Sequence, residues 1–365
     1  MPILAVWPAC DTPNSHPTIA RMRSAIGIAA DPKGLYRVSF VSGRRMKESC
    51  RGQSQMSSSL IALTGSTGFI GRSLLSHLRA SGYRVRTLFR RPVDDMPDAD
   101  SAVIGDLVRP INLTKALEDV DVVVHSAGLS ATMSGCPEDD YRAINTEATI
   151  ALAAAAKRAG VRRFVFLSSV RAQSGPTAAT VINEKCVPAP TDAYGRSKLA
   201  AEEGLRGIDI DWVALRSVLV YGPGVKGNMA MLLRIAGSRW PLVLPRPCGR
   251  RSLLAVENLA EAVRFTIGTD QPLRRPFLVA DDEALDIAEI ISALRAGMGR
   301  RGLTLPITPR LFEATLNAAG RDDVSERLMG DLVVDNSQLR ELGWEPLMTT
   351  RDGLKRLGRA LNERR

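Results

Sequence analysis

Thr64-Gly65-Ser66-Thr67-Gly68-Phe69-Ile70-Gly71 stands between a short apolar run, Leu60–Thr64, and a stretch that reads as a helix, Phe69–Ser81. Glycines spaced G-x-x-G-x-x-G at such a junction let the chain turn tightly. They also bring backbone N–H groups up to a pyrophosphate at the positive end of the helix. Glycine triplets serve ordinary turns as well, so the strand before and the helix after are what make this one a dinucleotide site. Gly65, Thr67, Gly68, Phe69, Ile70 and Gly71 are the first candidate cofactor-binding residues.

Working outward, buried strands and amphipathic helices alternate, as in a parallel sheet covered on both faces. Arg84–Phe89, Ala102–Ile104, Asp121–His125, Arg163–Ser168 and Trp212–Arg216 read as the further strands, with Val122–Val124 β-branched throughout. Long helices are expected over Glu138–Ala159 and Asp192–Arg206. That succession predicts an α/β fold: a Rossmann-like doubly wound parallel sheet over residues 58–222, followed by a smaller C-terminal substrate lobe over 223–365. In the latter, Pro241, Pro245 and Pro247 interrupt the pattern, and helices are expected near 256–267, 285–296 and 309–319. Residues 1–57 read as a disordered extension, or as an over-extended reading frame whose biological start is Met56, since the first 55 carry no sustained period.

The chain has 365 residues, 45% of them hydrophobic, enough for a full core. No apolar run is long enough to span a bilayer and no signal peptide is evident, so no membrane partner and a cytoplasmic location are expected. Five scattered cysteines and three histidines fit neither a disulfide framework nor a metal site. The net charge of +10 is shared evenly: eight Lys/Arg against three Asp/Glu leave +5 on residues 1–55, and the other +5 is spread over 310 residues. So modest an excess on the body suits phosphates on small ligands rather than nucleic acid.

At the end of the second strand, where an acidic residue usually holds the ribose hydroxyls of NAD, stand Arg90 and Arg91. Guanidinium groups there suit a 2′-phosphate, which tilts the expected cofactor from NAD towards NADP. Asp106 and Leu107 follow the third strand and are candidates for the adenine amine and ring. Ser126, Ala127 and Gly128, small residues after the fourth strand, fit where a cofactor lies against the backbone, and His125 is read as a packed strand-end residue rather than a base.

Tyr194 and Lys198 lie four residues apart on one face of a helix. A phenol with a pKa near 10 is a poor acid–base group at neutral pH, and a nearby cation favours its phenolate. Ser168 and Ser169 end the fifth strand, where such sheets bind ligands. Alternation allows only one of them to face the site. Asn145, a polar amide inside a long helix, is read as an active-site support and grouped with the substrate-binding residues.

Taken together, TGSTGFIG, GDL, HSAG, the LSS strand end, YGRSK and LRSVLVYGPG resemble the extended short-chain dehydrogenase/reductase superfamily in its NAD-dependent epimerase/dehydratase family, from about Ser58 to about Trp344. The resemblance implies an enzyme with a catalytic Ser169, Tyr194 and Lys198, the serine being the one 25 residues before the tyrosine. Lys198 would also bind the nicotinamide ribose. It further implies a UDP-sugar substrate met by Asn228 and Arg251, and a homodimer built on two helices. Tyr221–Asn228 and Arg250–Leu259 look most like reductases that turn a UDP-linked 4-keto-6-deoxy sugar into UDP-N-acetylquinovosamine for surface polysaccharide. The rival readings are a UDP-sugar 4-epimerase and a non-catalytic NADP-binding regulator.

Overall fold

The computed structural model describes residues 59–92, 100–130, 136–238, 242–245, 248–300, 304–308, 310 and 330–363, together with the strands Gly27–Ala30 and Tyr36–Ser39. The chain divides into two units, Met1–Gln55 and Met56–Arg365. In the first, Gly27–Ala30 and Tyr36–Ser39 pair antiparallel, with Gly27 opposite Ser39, where sequence patterning suggested no structure. Ile28, Tyr36 and Val38 are strand-favouring residue types, but runs of four are too short to register as a period.

In the second unit seven parallel strands form one sheet. They are β1 (Leu60–Thr64), β2 (Arg84–Phe89), β3 (Ser101–Val103), β4 (Val122–His125), β5 (Arg163–Ser169), β6 (Asp211–Ser217) and β7 (Arg275–Val279). Their spatial order is β7-β6-β5-β4-β1-β2-β3. The order reverses between β1 and β4, and ligands bind outside the carboxyl ends of strands at such a switch point. Six of the seven strands match the expected ones to within a residue or so, the ordinary scatter of element ends.

Alternation along β1 shows why both faces are buried. Leu60 and Ala62 join a cluster with Leu152, Ala201 and Leu205, from α2 (Ala148–Arg158) and α3 (Ala193–Arg206). Ile61 and Leu63 join the opposite cluster, with Leu74 of α1 (Phe69–Ala80) and with Leu259 and Val263 further along the chain. Full burial of each such aliphatic side chain contributes roughly 1.5–3 kcal/mol, which is what presses helices onto both faces.

Two expectations change. The rod expected over Glu138–Ala159 is helical throughout but not uniform: Glu138–Tyr141 is α, Arg142–Glu147 is π, and α2 comes next. A π turn adds a residue to the repeat and rotates the helix beyond it, and here it buries Asn145. The boundary after residue 222 is not a boundary in space either. Leu219–Tyr221 pairs with Arg250–Ala255, which pairs with Ala284–Asp286. Around them lie α4 (Gly227–Ala236), α6 (Ile287–Gly297) and α7 (Thr350–Asn362), with a core including Leu233, Leu253, Ile291 and Leu354. Between these segments, α5 (Val256–Gly268) and β7 return to the first sheet. Buried Arg163 at the start of β5 fixes the return: it pairs with Asp211 at 2.6 Å and donates to the carbonyls of Thr266 in the last turn of α5 and of Thr269 and Gln271 just after it. The helix expected near 309–319 lies, but for residue 310, outside the described residues.

Candidate active site

At the switch point the glycine loop passes close to the end of β4. Gly65 has φ +73°, and a Cβ there would stand 2.8 Å from the Ala127 nitrogen; a Cβ on Gly71 would stand 1.9 Å from the Gly65 carbonyl oxygen. Both positions therefore need glycine. Gly68 caps α1, no side chain closes that cap and no acidic residue sits in the first turn, which leaves the positive helix end suited to an anion. Inside the loop the Ser66 hydroxyl is buried without a partner among the described residues. Its unmet hydrogen-bonding capacity, the bare helix end and the absence of side-chain bulk fit a bound dinucleotide pyrophosphate. Thr67 is exposed, whereas Phe69 and Ile70 are half-buried at the start of α1.

Thr64 joins the two strand ends. Its hydroxyl lies 2.7 Å from His125 Nδ1 and accepts from the backbone N–H groups of Ser126 and Ala127, each at 3.2 Å. On the far side His125 Nε2 lies 3.0 Å from the Thr149 hydroxyl, which itself donates to the Asn145 carbonyl. That chain of donors assigns the proton to Nε2 and leaves Nδ1 as acceptor. Burial first, then the charge of Lys198, push the His125 pKa down to about 3. The imidazole is therefore a neutral packing and bonding group.

Helix α3 begins at Asp192, whose carboxylate accepts from the Gly195 N–H at 2.6 Å and also pairs with Arg171. This cap sets Tyr194 in the first turn, half-buried, with its hydroxyl hydrogen-bonded to Ser169 and its ring edge-on to Tyr141. Burial raises the phenol's pKa and the Ser169 bond opposes it. One turn on, buried Lys198 donates to the Leu167 carbonyl at 3.0 Å, with its Nζ 4.6 Å from the Phe166 ring centre and 6.0 Å from that of Tyr194. Burial lowers its pKa to about 8, against the opposing charge of Glu202. At neutral pH an ammonium thus stands beside a phenol that is already bonded to a second hydroxyl, an arrangement able to move a proton on and off an oxygen. Ser168 points the other way, donating to Glu202 at 2.5 Å.

Asn145 is 1% exposed. Its Oδ1 accepts from the Leu129 N–H at 2.8 Å, and Nδ2 donates to the Leu129 carbonyl at 3.2 Å and the Ser197 hydroxyl at 3.1 Å. Both its donors are spent on these bonds, which tie α3 to the segment after β4. Arg251, half-buried, donates to the Pro176 carbonyl at 3.0 Å and so holds the segment beyond Ser169. Asn228 falls in α4, and its side chain lies outside the described residues. Just after β2, exposed Arg90 pairs with Asp106 at 3.8 Å. Asp106 also accepts from the Val108 N–H at 3.0 Å, and Leu107 packs on the core. Ser126 and Ala127 are half-buried and Gly128 is exposed. Sequence reasoning missed Arg171, Asp192, Glu202 and Arg216. The last was open to detection, as a charge that directly follows the apolar run Trp212-Val213-Ala214-Leu215 inside the same expected strand.

Known proteins share this fold. The chain is 32% identical over 326 residues to a UDP-glucose 4-epimerase of Vibrio cholerae, covering 85% of this chain and 98% of that one. Among solved structures it is similar to MoeE5 in complex with UDP-glucose and NAD (TM-score 0.66, 26% identity, 83% of this chain and 99% of that one). A UDP-N-acetylglucosamine 4-epimerase of Bacillus cereus shares the fold (TM-score 0.67, 22% identity, 84% of this chain and 99% of that one). Residues 61–279 match the NAD dependent epimerase/dehydratase family, and the protein belongs to that family, as an enzyme of the extended short-chain dehydrogenase type.

Proposed function

We propose that the protein is a UDP-sugar 4-epimerase. The reading is carried by the near full-length similarity to the Vibrio cholerae UDP-glucose 4-epimerase, on a chain whose Ser169, Tyr194 and Lys198 are gathered at one site. Ser169 Oγ positions the oxygen on C4 of the sugar. Tyr194 Oη, held as the phenolate by the Lys198 ammonium, takes the proton of that hydroxyl, stays a neutral phenol while the ketone exists, and then returns the proton. Bound NAD supplies the acceptor for the C4 hydride and then its donor, so no reductant is consumed. The glycine loop, Ser66 and the N-terminus of α1 hold its pyrophosphate, and Lys198 its nicotinamide ribose. The Asp106 carboxylate beside Arg90 offsets the charge that a 2′-phosphate would need, which favours NAD over NADP.

Purified protein given UDP-glucose should form UDP-galactose with no net change in nicotinamide absorbance, and Tyr194→Phe should lower turnover by about 10²–10⁴-fold. Stoichiometric loss of NADPH with a UDP-4-keto-6-deoxy sugar, and no epimerisation, would instead establish the reductase reading. Binding of NADP without turnover of either substrate would leave only the regulator.

A further inference from the structure

Three side chains on successive turns of α3 reach three consecutive residues of β5. Tyr194 bonds the Ser169 hydroxyl, Lys198 the Leu167 carbonyl at 3.0 Å, and Glu202 the Ser168 hydroxyl at 2.5 Å. The helix is thereby clasped to the strand under the site, and Glu202 is its innermost grip, with 0% exposure. Arg216 stands directly opposite Ser168 in the parallel pairing of β5 and β6. It is 1% exposed and donates to the same carboxylate through Nε at 3.0 and 3.1 Å and Nη2 at 2.5 Å. Removing two charges from water costs as much as their attraction returns, so a buried ion pair is seldom justified by stability alone. Its place one turn beyond Lys198 suggests another role.

We propose that Glu202 is a positioning residue of this active site: locked by Ser168 and Arg216, its carboxylate keeps the Lys198 amine charged and in register with Tyr194. This rests on the role proposed above for Lys198. Facing that amine among the described residues are Tyr194 and Glu202 on its own helix, neutral His125 at the end of β4, Phe166 and Leu167 on β5, and Arg216 on β6 behind Glu202. Glu202 is the acid that acts directly on Lys198, and it opposes the loss of its proton. Arg216 holds that carboxylate in place and offsets part of its charge, fixing where the negative end lies relative to Lys198.

The two partners make opposite predictions, which separates charge from structure. Glu202→Gln leaves Arg216 uncompensated, and the alkaline limb of turnover against pH should move down by about one pH unit; Arg216→Gln leaves Glu202 uncompensated, and the limb should move up by about as much. Affinity for NAD+ measured over the same pH range should shift in the same two directions, and it requires no sugar turnover. Either variant decides by its sign if the other does not fold. Limbs that stay at the wild-type pH, or move the same way in both variants, would overturn the assignment and leave the pair a structural clasp. Failure of the wild-type protein to turn over any UDP-sugar would instead count against the proposed function, with the NAD+ profiles still reporting on Glu202.

Discussion

Buried between Thr64 and Thr149, His125 carries a stability signature of its own. Its folded pKa lies at about 3, below the ordinary 6.5, so the unfolded chain binds a proton that the folded chain refuses. The neutral ring's contribution is whole above pH 6.5 and is lost as pH falls towards 3, at about 1.4 kcal/mol per pH unit. Urea titrations at pH 7 and pH 5 should show wild type losing more stability than His125→Asn over that interval, and equal losses would contradict the neutral assignment. Lys198 acts in the opposite range, since turnover should decline as pH rises through about 8 and its ammonium is discharged. Some of this was readable from residues alone. His125 stood at a strand end among small neighbours, and Tyr194, Lys198 and Ser169 stood at spacings with a chemical use. Which serine turns inward, and that Asn145 spends both donors on structure, depend on partners more than 15 residues away, Leu129 and Ser197 among them.

At the scale of elements, the start of α3 governs the site because Tyr194 lies in its first turn. Asp192→Ala removes the cap and the partner of Arg171, and should cost about 1 kcal/mol of stability in urea titration. It should also lower turnover, as the first turn frays and Tyr194 leaves Ser169; unchanged turnover would show that packing alone holds that turn. Patterning found α3, α1 and most of the sheet because their buried faces repeat at 3.6 or 2 residues. It did not find β7, Arg-Pro-Phe-Leu-Val, whose five residues begin with a charge and a proline that cannot donate to a ladder. At an edge beside β6 that proline is tolerated. Nor did it find the π turn, since Arg142–Glu147 has ordinary helical composition and departs from the α repeat to serve the burial of Asn145.

Across the whole molecule, the three buried clusters of the described residues are drawn from residues 60 to 357. A protein beginning at Met56 should keep its thermal midpoint within about 2 °C of the full chain and retain its affinity for NAD+, both measurable by thermal shift. A larger drop would give the leading segment a structural part. The path of β7 bears on how the chain is made. Because β7 comes after an excursion from Tyr221 through Ala255, the free side of β6 waits uncovered while more than fifty further residues are synthesised. Half-built chains emerging from the ribosome thus carry an open, apolar sheet edge, Trp212-Val213-Ala214-Leu215, of the kind that invites pairing with a neighbouring nascent chain. The enzyme's yield in the cell should accordingly depend on how fast translation passes from residue 217 to residue 279.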